Sequence, residues 1–365
     1  MNHCYLPLES SIAELDFSYN DEVEKVFHFH NVLKKKIDEL LGETYLLPDV
    51  LKAFKEFSDA LVPFINPDID YGEGQLKEKD MTDKYDIYDK YFEVTRVIEM
   101  KSGQFIQQYL DTSAELIDEL QYTSMSRGEI AYILKAWEAA NEIILDGKSP
   151  SPDFTLSERN NMATPQHNDE RALYRWKLAH HAFGFFMIFS GYCFDKAADI
   201  IQNGGSAEAV GNWLDKAAHL FRGTTACMEF GNSFTASIYR SVIRPDMSRA
   251  NDEANLPNGF SGTQNLEYVK WRSRKKNLLN IVKQKMEEGS ISDEIVDMVE
   301  MFRAFYLEDM HIHSIIAGRM VGMEKSLLQE GFMKPGAKAV KLTAADVLRS
   351  MAAMREKETA FLMKN

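Results

Sequence analysis

The sequence predicts an all-α protein, and three observations carry that reading. The ten prolines are placed so that three long spans, 68–149, 166–244 and 258–334, contain none. Proline breaks helix interiors, so these spans are open to long helices. Within them apolar residues recur at the spacing of a helix face. Strand signals are scarce: there is no sustained β-branched alternation and no Asn-Gly hairpin between alternating runs.

The elements follow from local start and stop signals. Asn20 is expected to cap a helix running to Leu41, ended by Gly42, and Asp49 to start a second reaching about Val62. A loop with Pro67 and Gly72 follows. Residues 84–121 give one or two helices, broken near Ser102-Gly103. Ser126 caps the next, which runs to Leu145 before Asp146-Gly147. The stretch 147–166, rich in Pro, Ser and Asn, reads as a linker. Beyond it come a helix over 168–202, a stop at Gly204-Gly205, a helix over 207–243 capped by Ser206, and a polar loop over 244–264. Helices at 265–288, about 292–323 and 343–363 complete the chain. The expected organisation is an N-terminal helical subdomain, 1–150, and a helical bundle, 166–365. Bundles of long helices commonly hold a cofactor between facing helices.

Composition narrows the function. The 365 residues are 45% hydrophobic and 27% charged, the balance of a globular chain with a sizeable core. The formal net charge of −14 argues against sequence-independent nucleic-acid binding and against anionic membrane surfaces. Cys4, Cys193 and Cys227 fit neither a disulfide framework nor a zinc site, so reduced thiols and a cytoplasmic location are expected. No signal peptide is read at the N-terminus, and the longest strongly apolar stretch, Ala182 to Tyr192, is too short to cross a bilayer.

Six of the nine histidines fall at or after residue 167. His180 and His181 lie on the 168–202 helix, His219 on the 207–243 helix, and His311 and His313 on the 292–323 helix. Neighbouring helical residues point about 100° apart and i, i+2 pairs about 200° apart, so His311 and His313 face different ways. His313 shares its face with Phe302, Phe305, Ile316, Ala317 and Met320, a setting for a flat apolar cofactor or for ordinary core. Glu308-x-x-His311 is a single copy of a pair that di-iron bundles use twice. Phosphate-loop, hydrolase-elbow and zinc-protease motifs are not found.

Three segments together resemble the histidine-ligated, haem-dependent aromatic oxygenases, the superfamily of tryptophan 2,3-dioxygenase, indoleamine 2,3-dioxygenase and the haem-dependent tyrosine hydroxylases. His313-Ser-Ile-Ile-Ala-Gly-Arg319-Met320-Val321-Gly322 looks like the dioxygenase helix whose histidine ligates iron. His180-His181-Ala182-Phe183, continuing to Gly204, resembles the helix with the distal histidine. Phe221-Arg222-Gly-Thr-Thr225, followed by Phe234 and Tyr239-Arg240, is similar to the segment whose arginine clamps a substrate carboxylate. The gap between Arg222 and Phe234 is about three residues longer than in the tryptophan enzyme. The segments keep the family's order and span residues 176–322.

The resemblance implies haem b with His313 as axial ligand, His180 as the distal catalytic group, and Phe183, Arg222 and Thr225 as substrate contacts. It implies a small aromatic amino acid or close derivative as substrate and dioxygen or peroxide as oxidant. The dioxygenase loop Gly-Thr-Gly-Gly has no counterpart in 330–338, and Arg244-Pro245-Asp246-Met247 with Gly259-Phe260-Ser261-Gly262 looks hydroxylase-like, which favours ring hydroxylation over indole dioxygenation. Some hydroxylases tether haem through a cysteine four residues after the ligand; Ala317 stands there, so no thioether is expected. A non-haem di-iron oxygenase built on Glu308 and His311 and a non-enzymatic helical binder are the alternatives. Met-rich faces leave room for a homo-oligomer.

Overall fold

The computed structural model describes residues 4–7, 24–41, 47–61, 83–97, 100, 102–145, 169–253, 264–321 and 344–363. The fold is all-α, with one small sheet among the described residues. In order the elements are β1 (Cys4–Pro7), α1 (Glu24–Leu41), α2 (Leu47–Leu61), α3 (Asp83–Phe92), β2 (Val94–Val97), α4 (Ser102–Leu120), α5 (Arg127–Ile144), α6 (Asp169–Gln202) and α7 (Ala207–Gly231). There follow α8 (Ala236–Ile238), a π-helical turn (Tyr239–Ile243), α9 (Arg244–Glu253), α10 (Leu266–Glu287), α11 (Asp293–Met320), α12 (Ala344–Thr359) and a 3-10 turn (Ala360–Met363).

Several boundaries lie where their residues require them. Ser126 accepts from the Glu129 amide at 3.3 Å, and Glu129 accepts from the Ser126 amide at 2.5 Å, a complete capping box for α5. Ser206 caps α7 through the Ala209 amide at 3.2 Å. Gly204 ends α6 in the left-handed region at φ +68°, where glycine carries no steric penalty. Asn20, Gly42, the 62–82 loop and most of the expected linker lie outside the described residues.

Helix α6 is the central element. Its 34 residues extend about 50 Å. Between Ala182 and Phe194 nearly every side chain is buried, because neighbours cover all sides. Helix α7 runs along it, α5 packs on α7, α10 on α6, α11 on α7, and α12 on α11. One apolar cluster extends from Val26 in α1 and Phe57 in α2 through Trp137 in α5 and Phe186 in α6 to Trp271 in α10 and Phe302 in α11. The core thus includes residues from both sides of the 147–166 stretch.

The sheet departs from the sequence expectation. β1 and β2 pair in parallel, Cys4 opposite Val94 and Pro7 opposite Val97. Strands of four residues are too short to display a period-2 pattern, which is why none is legible. The pairing rests instead on tertiary contacts. Arg96 of β2 donates to both oxygens of Asp89, at 2.8 and 2.6 Å, and also to Glu267 of α10. All three side chains are buried. A buried guanidinium shared by two carboxylates ties the strand, α3 and α10 together, and losing the cation would strand two buried anions.

The second departure lies after α7. The expected helix over 207–243 stops at Gly231, and a new one starts from Thr235, whose hydroxyl accepts from the Ile238 amide at 3.3 Å. It does not end at 243, where the polar loop was expected to begin. It widens into the π turn and continues to Glu253.

Two predictions follow from the packing. A Cβ at Gly223 of α7 would stand 2.2 Å from the Ala136 Cβ of α5 and 3.2 Å from the Phe186 ring of α6. Gly223→Ala is expected to destabilise the fold by about 1–3 kcal/mol, because overpacking outweighs the roughly 1 kcal/mol gain in helix propensity; urea unfolding reads the sign directly. His30 of α1 is buried, its Nε2 has no hydrogen-bond partner among the described residues, and burial pushes its pKa down to about 4. The unfolded ring takes up a proton below about pH 6.5 while the folded ring does not, so stability falls as pH drops from about 6.5 to 4. His30→Phe is expected to flatten that slope by up to about 1.4 kcal/mol per pH unit, measured as unfolding free energies at pH 7 and pH 5.

Candidate functional site

A cavity of about 340 Å³ lies between α6 and α11, each of which packs on its own side against other helices of the bundle, with α7 contacting both. Its wall is mostly aromatic and thioether, including Trp176, Phe183, Phe221, Met187, Met310 and Met320. Helix α12 supplies Val347, Leu348, Met351 and Arg355. A second apolar cluster, with Tyr88, Phe92, Phe234, Tyr239, Ile243 and Met320, packs around one part of it.

His180 and His313 line this one cavity. Adjacent His180 and His181 point different ways, as helix geometry demands. His181 donates from Nε2 to the Phe92 carbonyl at 2.5 Å and so fastens α6 to the end of α3. His180 donates from Nδ1 to the Trp176 carbonyl at 2.7 Å, one turn back. A carbonyl only accepts, so this bond fixes the tautomer and leaves the lone pair on Nε2. The ring stacks on Phe92 at 3.9 Å with a 20° interplanar angle. Burial pushes its pKa down to about 3, so it is neutral near pH 7.

His313 on α11 is also held neutral, chiefly by burial, which lowers its pKa against the opposing pull of Asp309. Its ring has no hydrogen-bond partner among the described residues. Asp309, one turn earlier, also lines the cavity and accepts from the Thr225 hydroxyl at 2.7 Å and from Arg355 Nη1 at 2.8 Å. Arg355 donates in addition to the Tyr306 carbonyl at 2.6 Å and lies 4.0 Å from the Tyr306 ring centroid. Lys275 to Glu358 at 2.6 Å and Arg303 to Thr359 at 2.9 Å fasten the same end of α12.

The remaining expected contacts divide. Phe183 lines the cavity, one turn after His180. Arg222 does not: its guanidinium pairs with Glu308 at 3.2 Å and lies 3.8 Å from the Phe305 ring centroid. Phe221 and Thr224 occupy the cavity-facing side of α7, so Arg222 is turned out of it. Thr225 is buried outside the lining and touches the site through Asp309. Glu308 pairs with Arg222 and His311 is exposed, and no group of three or more His, Cys, Asp or Glu that could hold a bare metal ion occurs among the described residues.

Asp309, Arg355, Tyr88, Tyr239 and Arg244 are cavity residues that the sequence reading did not assign to the site. Asp309 carried a usable signal, since i−4 from His313 is the same helix face. Arg355, distant in sequence, had none.

The donor set fits the haem that the sequence resemblance implies. One neutral imidazole facing an apolar cavity is the protein's share of a site whose in-plane ligands come from a macrocycle; a bare ion would need three or four protein donors.

A mostly apolar cavity with two neutral imidazoles in its wall, set in a helical bundle, has the form of an enzyme pocket, and the family match places that enzyme in the oxidoreductase class. Residues 42–291, more than half of the chain, match the family model described as SfmD 3-methyl-L-tyrosine peroxygenase, and the chain belongs to that family. The matched span ends just before α11. Among solved structures, the crystal structure of reduced SfmD, obtained by soaking with sodium hydrosulfite, has the same fold, with a TM-score of 0.55, 14% identity, and coverage of 85% of this chain and 95% of that one. No match is found among curated proteins.

The Asp309–Arg355 pair yields a stability prediction. Both side chains are over nine-tenths buried. Arg355→Ala is expected to cost about 3–5 kcal/mol by leaving the carboxylate uncompensated. The double variant Asp309→Asn with Arg355→Met should cost clearly less than the sum of the two single changes in urea unfolding.

Proposed function

We propose that this chain is a haem-dependent peroxygenase acting on a tyrosine-type phenol, with 3-methyl-L-tyrosine or a close analogue as substrate. The observation that carries this reading is the pairing of His180 and His313 on one cavity in a chain of the peroxygenase family. His313 would hold the iron of haem b, and Ala317 four residues on offers no thiol for a tether. The kinship to tryptophan and indoleamine dioxygenases is part of the same proposal.

Bound haem would supply the iron that activates the oxygen–oxygen bond of peroxide. One peroxide oxygen enters a ring C–H bond, and the other leaves as water. The rest of the work falls to the chain's own side chains. With Nδ1–H committed to Trp176, His180 offers Nε2 as an acceptor for a phenol or peroxide O–H. A group with a pKa of about 3 is a weak base, so His180 orients and relays a proton rather than storing one. Phe183 and Phe221 provide flat apolar walls that exclude water beside the ring. His313 stays neutral, as an iron ligand must be, with Asp309 one turn away and its charge shared with Arg355. Thr225 acts through Asp309, and Arg222 through Glu308 on α11. Free, buried thiols at Cys4, Cys193 and Cys227 suit a reducing compartment such as the cytoplasm.

The test is an ultraviolet–visible spectrum of haem-supplied protein beside His313→Ala, then product analysis with 3-methyl-L-tyrosine and hydrogen peroxide. The expected outcome is a strong Soret band, lost or much weakened in the variant, and a product carrying one added oxygen on an intact ring. A folded, haem-supplied wild type without a Soret band would overturn the reading, and a cleaved indole from tryptophan analogues would replace hydroxylation with dioxygenation.

A further inference from the structure

Six of the chain's 18 methionines line the cavity: Met187 of α6, Met228 of α7, Met247 of α9, Met310 and Met320 of α11, and Met351 of α12. They come from five helices, so the concentration belongs to the cavity and not to the composition of one segment. Their placement follows the two histidines. Met187 stands two turns after His180 on the same face of α6, with Phe183 between them. Met310 stands one turn before His313 on α11, and Met320 two turns after it. A thioether offers a flat ring a soft, polarizable contact.

The same sulfur atoms are open to oxidation. Cys227 also lines the cavity, but a thiol reacts as its thiolate, and burial holds this one protonated. A thioether has no proton to lose, so burial does not silence its lone pair. What burial does is shield it from oxidant in bulk solvent. Met187 and Met310 are each 2% exposed, whereas Met301, Met354 and Met363 are 57%, 61% and 58% exposed. An oxidant acting from solvent would reach the second group first, and one activated inside the cavity would reach the first.

We propose that Met187 and Met310 are self-oxidation sites, converted to sulfoxide by peroxide activated in the cavity when no aromatic substrate fills it. The inference rests on the proposed function for its oxidant. One peroxide oxygen forms the S=O bond as the O–O bond breaks. Sulfur is oxidised by two electrons, and the other oxygen leaves as water with both peroxide protons. Sulfoxide turns an apolar wall polar and removes the sulfur–ring contact. Substrate and wall therefore compete for the same oxygen, and each turnover without substrate lowers the affinity for the next one.

The exposed methionines are internal references for the test. Haem-supplied and haem-free protein are treated with hydrogen peroxide, with and without 3-methyl-L-tyrosine. Sulfoxide at each methionine is read by peptide mass spectrometry, and folding by circular dichroism. In haem-free protein Met301, Met354 and Met363 should be oxidised first. In haem-supplied protein without substrate, Met187 and Met310 should overtake them several-fold. Substrate should suppress the cavity sites and leave the references unchanged. After peroxide is removed, the oxidised protein should bind 3-methyl-L-tyrosine about 2- to 10-fold more weakly, the size of a lost sulfur–aromatic contact. Met187→Leu combined with Met310→Leu, a swap of similar volume, should abolish that weakening. Should the double variant or the haem-free protein not fold, the single variants and the ratio of cavity to exposed sulfoxide in haem-supplied protein carry the comparison. References oxidised ahead of the cavity sites with haem bound, or cavity oxidation that substrate does not suppress, would overturn the proposal. A Soret band and a hydroxylated product beside intact cavity methionines would sink it and leave the proposed function standing; a folded, haem-supplied protein without a Soret band would sink both.

Discussion

The carboxylate of Asp309 is the point on which the site depends. It joins Thr225 of α7 and Arg355 of α12 to α11, so three helices meet on one buried anion. Helices pack with freedom to slide and rotate, and apolar contacts resist that only weakly because they are non-directional. A charged acceptor with two donors at 2.7 and 2.8 Å allows one arrangement. His313 stands one turn along the same helix, so its position in the cavity is set by that arrangement. The cost of burying the charge is the condition for this specificity, since an unpaired partner would be far worse than none.

Around that node the protein spends its polar groups on placing rings. His181 fastens α6 to α3, and the Trp176 carbonyl holds His180. Arg96 holds Asp89, next to cavity residue Tyr88, and reaches Glu267 one residue after the helix start of α10. The cavity wall itself is left mostly apolar. Both cavity imidazoles are neutral for one reason, desolvation, yet their hydrogen-bonding differs: His180 has one nitrogen committed, while His313 has no partner among the described residues. Two identical side chains thereby differ in what they leave free: His180 keeps one open nitrogen, whereas the His313 ring is uncommitted among the described residues.

Much of this was legible in the sequence because it is local. Ser126 with Glu129 announces α5, Ser206 announces α7, and proline-free spans announce α6 and α11. The 100° rule separated His311 from His313 before any coordinates. What was hidden depends on non-local partners. Four-residue strands have no period of their own, and Cys4–Pro7 is a strand only because Val94–Val97 lies beside it. Pro245 is a stop signal by composition, yet the helix passes through it by widening, with Ile243 and Met247 buried against neighbouring elements. Arg222 looked like a clamp from its neighbours in the chain, whereas α7 turns Phe221 and Thr224 to the cavity and leaves Arg222 to pair with Glu308, 86 residues away.

The three cysteines give the molecule timers that need no added label. Cys4, Cys193 and Cys227 are free, each at most 1% exposed, and burial holds every thiol protonated well above the usual range. A thiol-specific reagent reaches them by different routes: Cys4 after β1 peels from β2, Cys193 after α6 parts from its neighbours, and Cys227 by entering the cavity that it lines. The order in which they are modified in native buffer therefore maps which part of the fold breathes first, and how rarely the centre of the bundle opens at all.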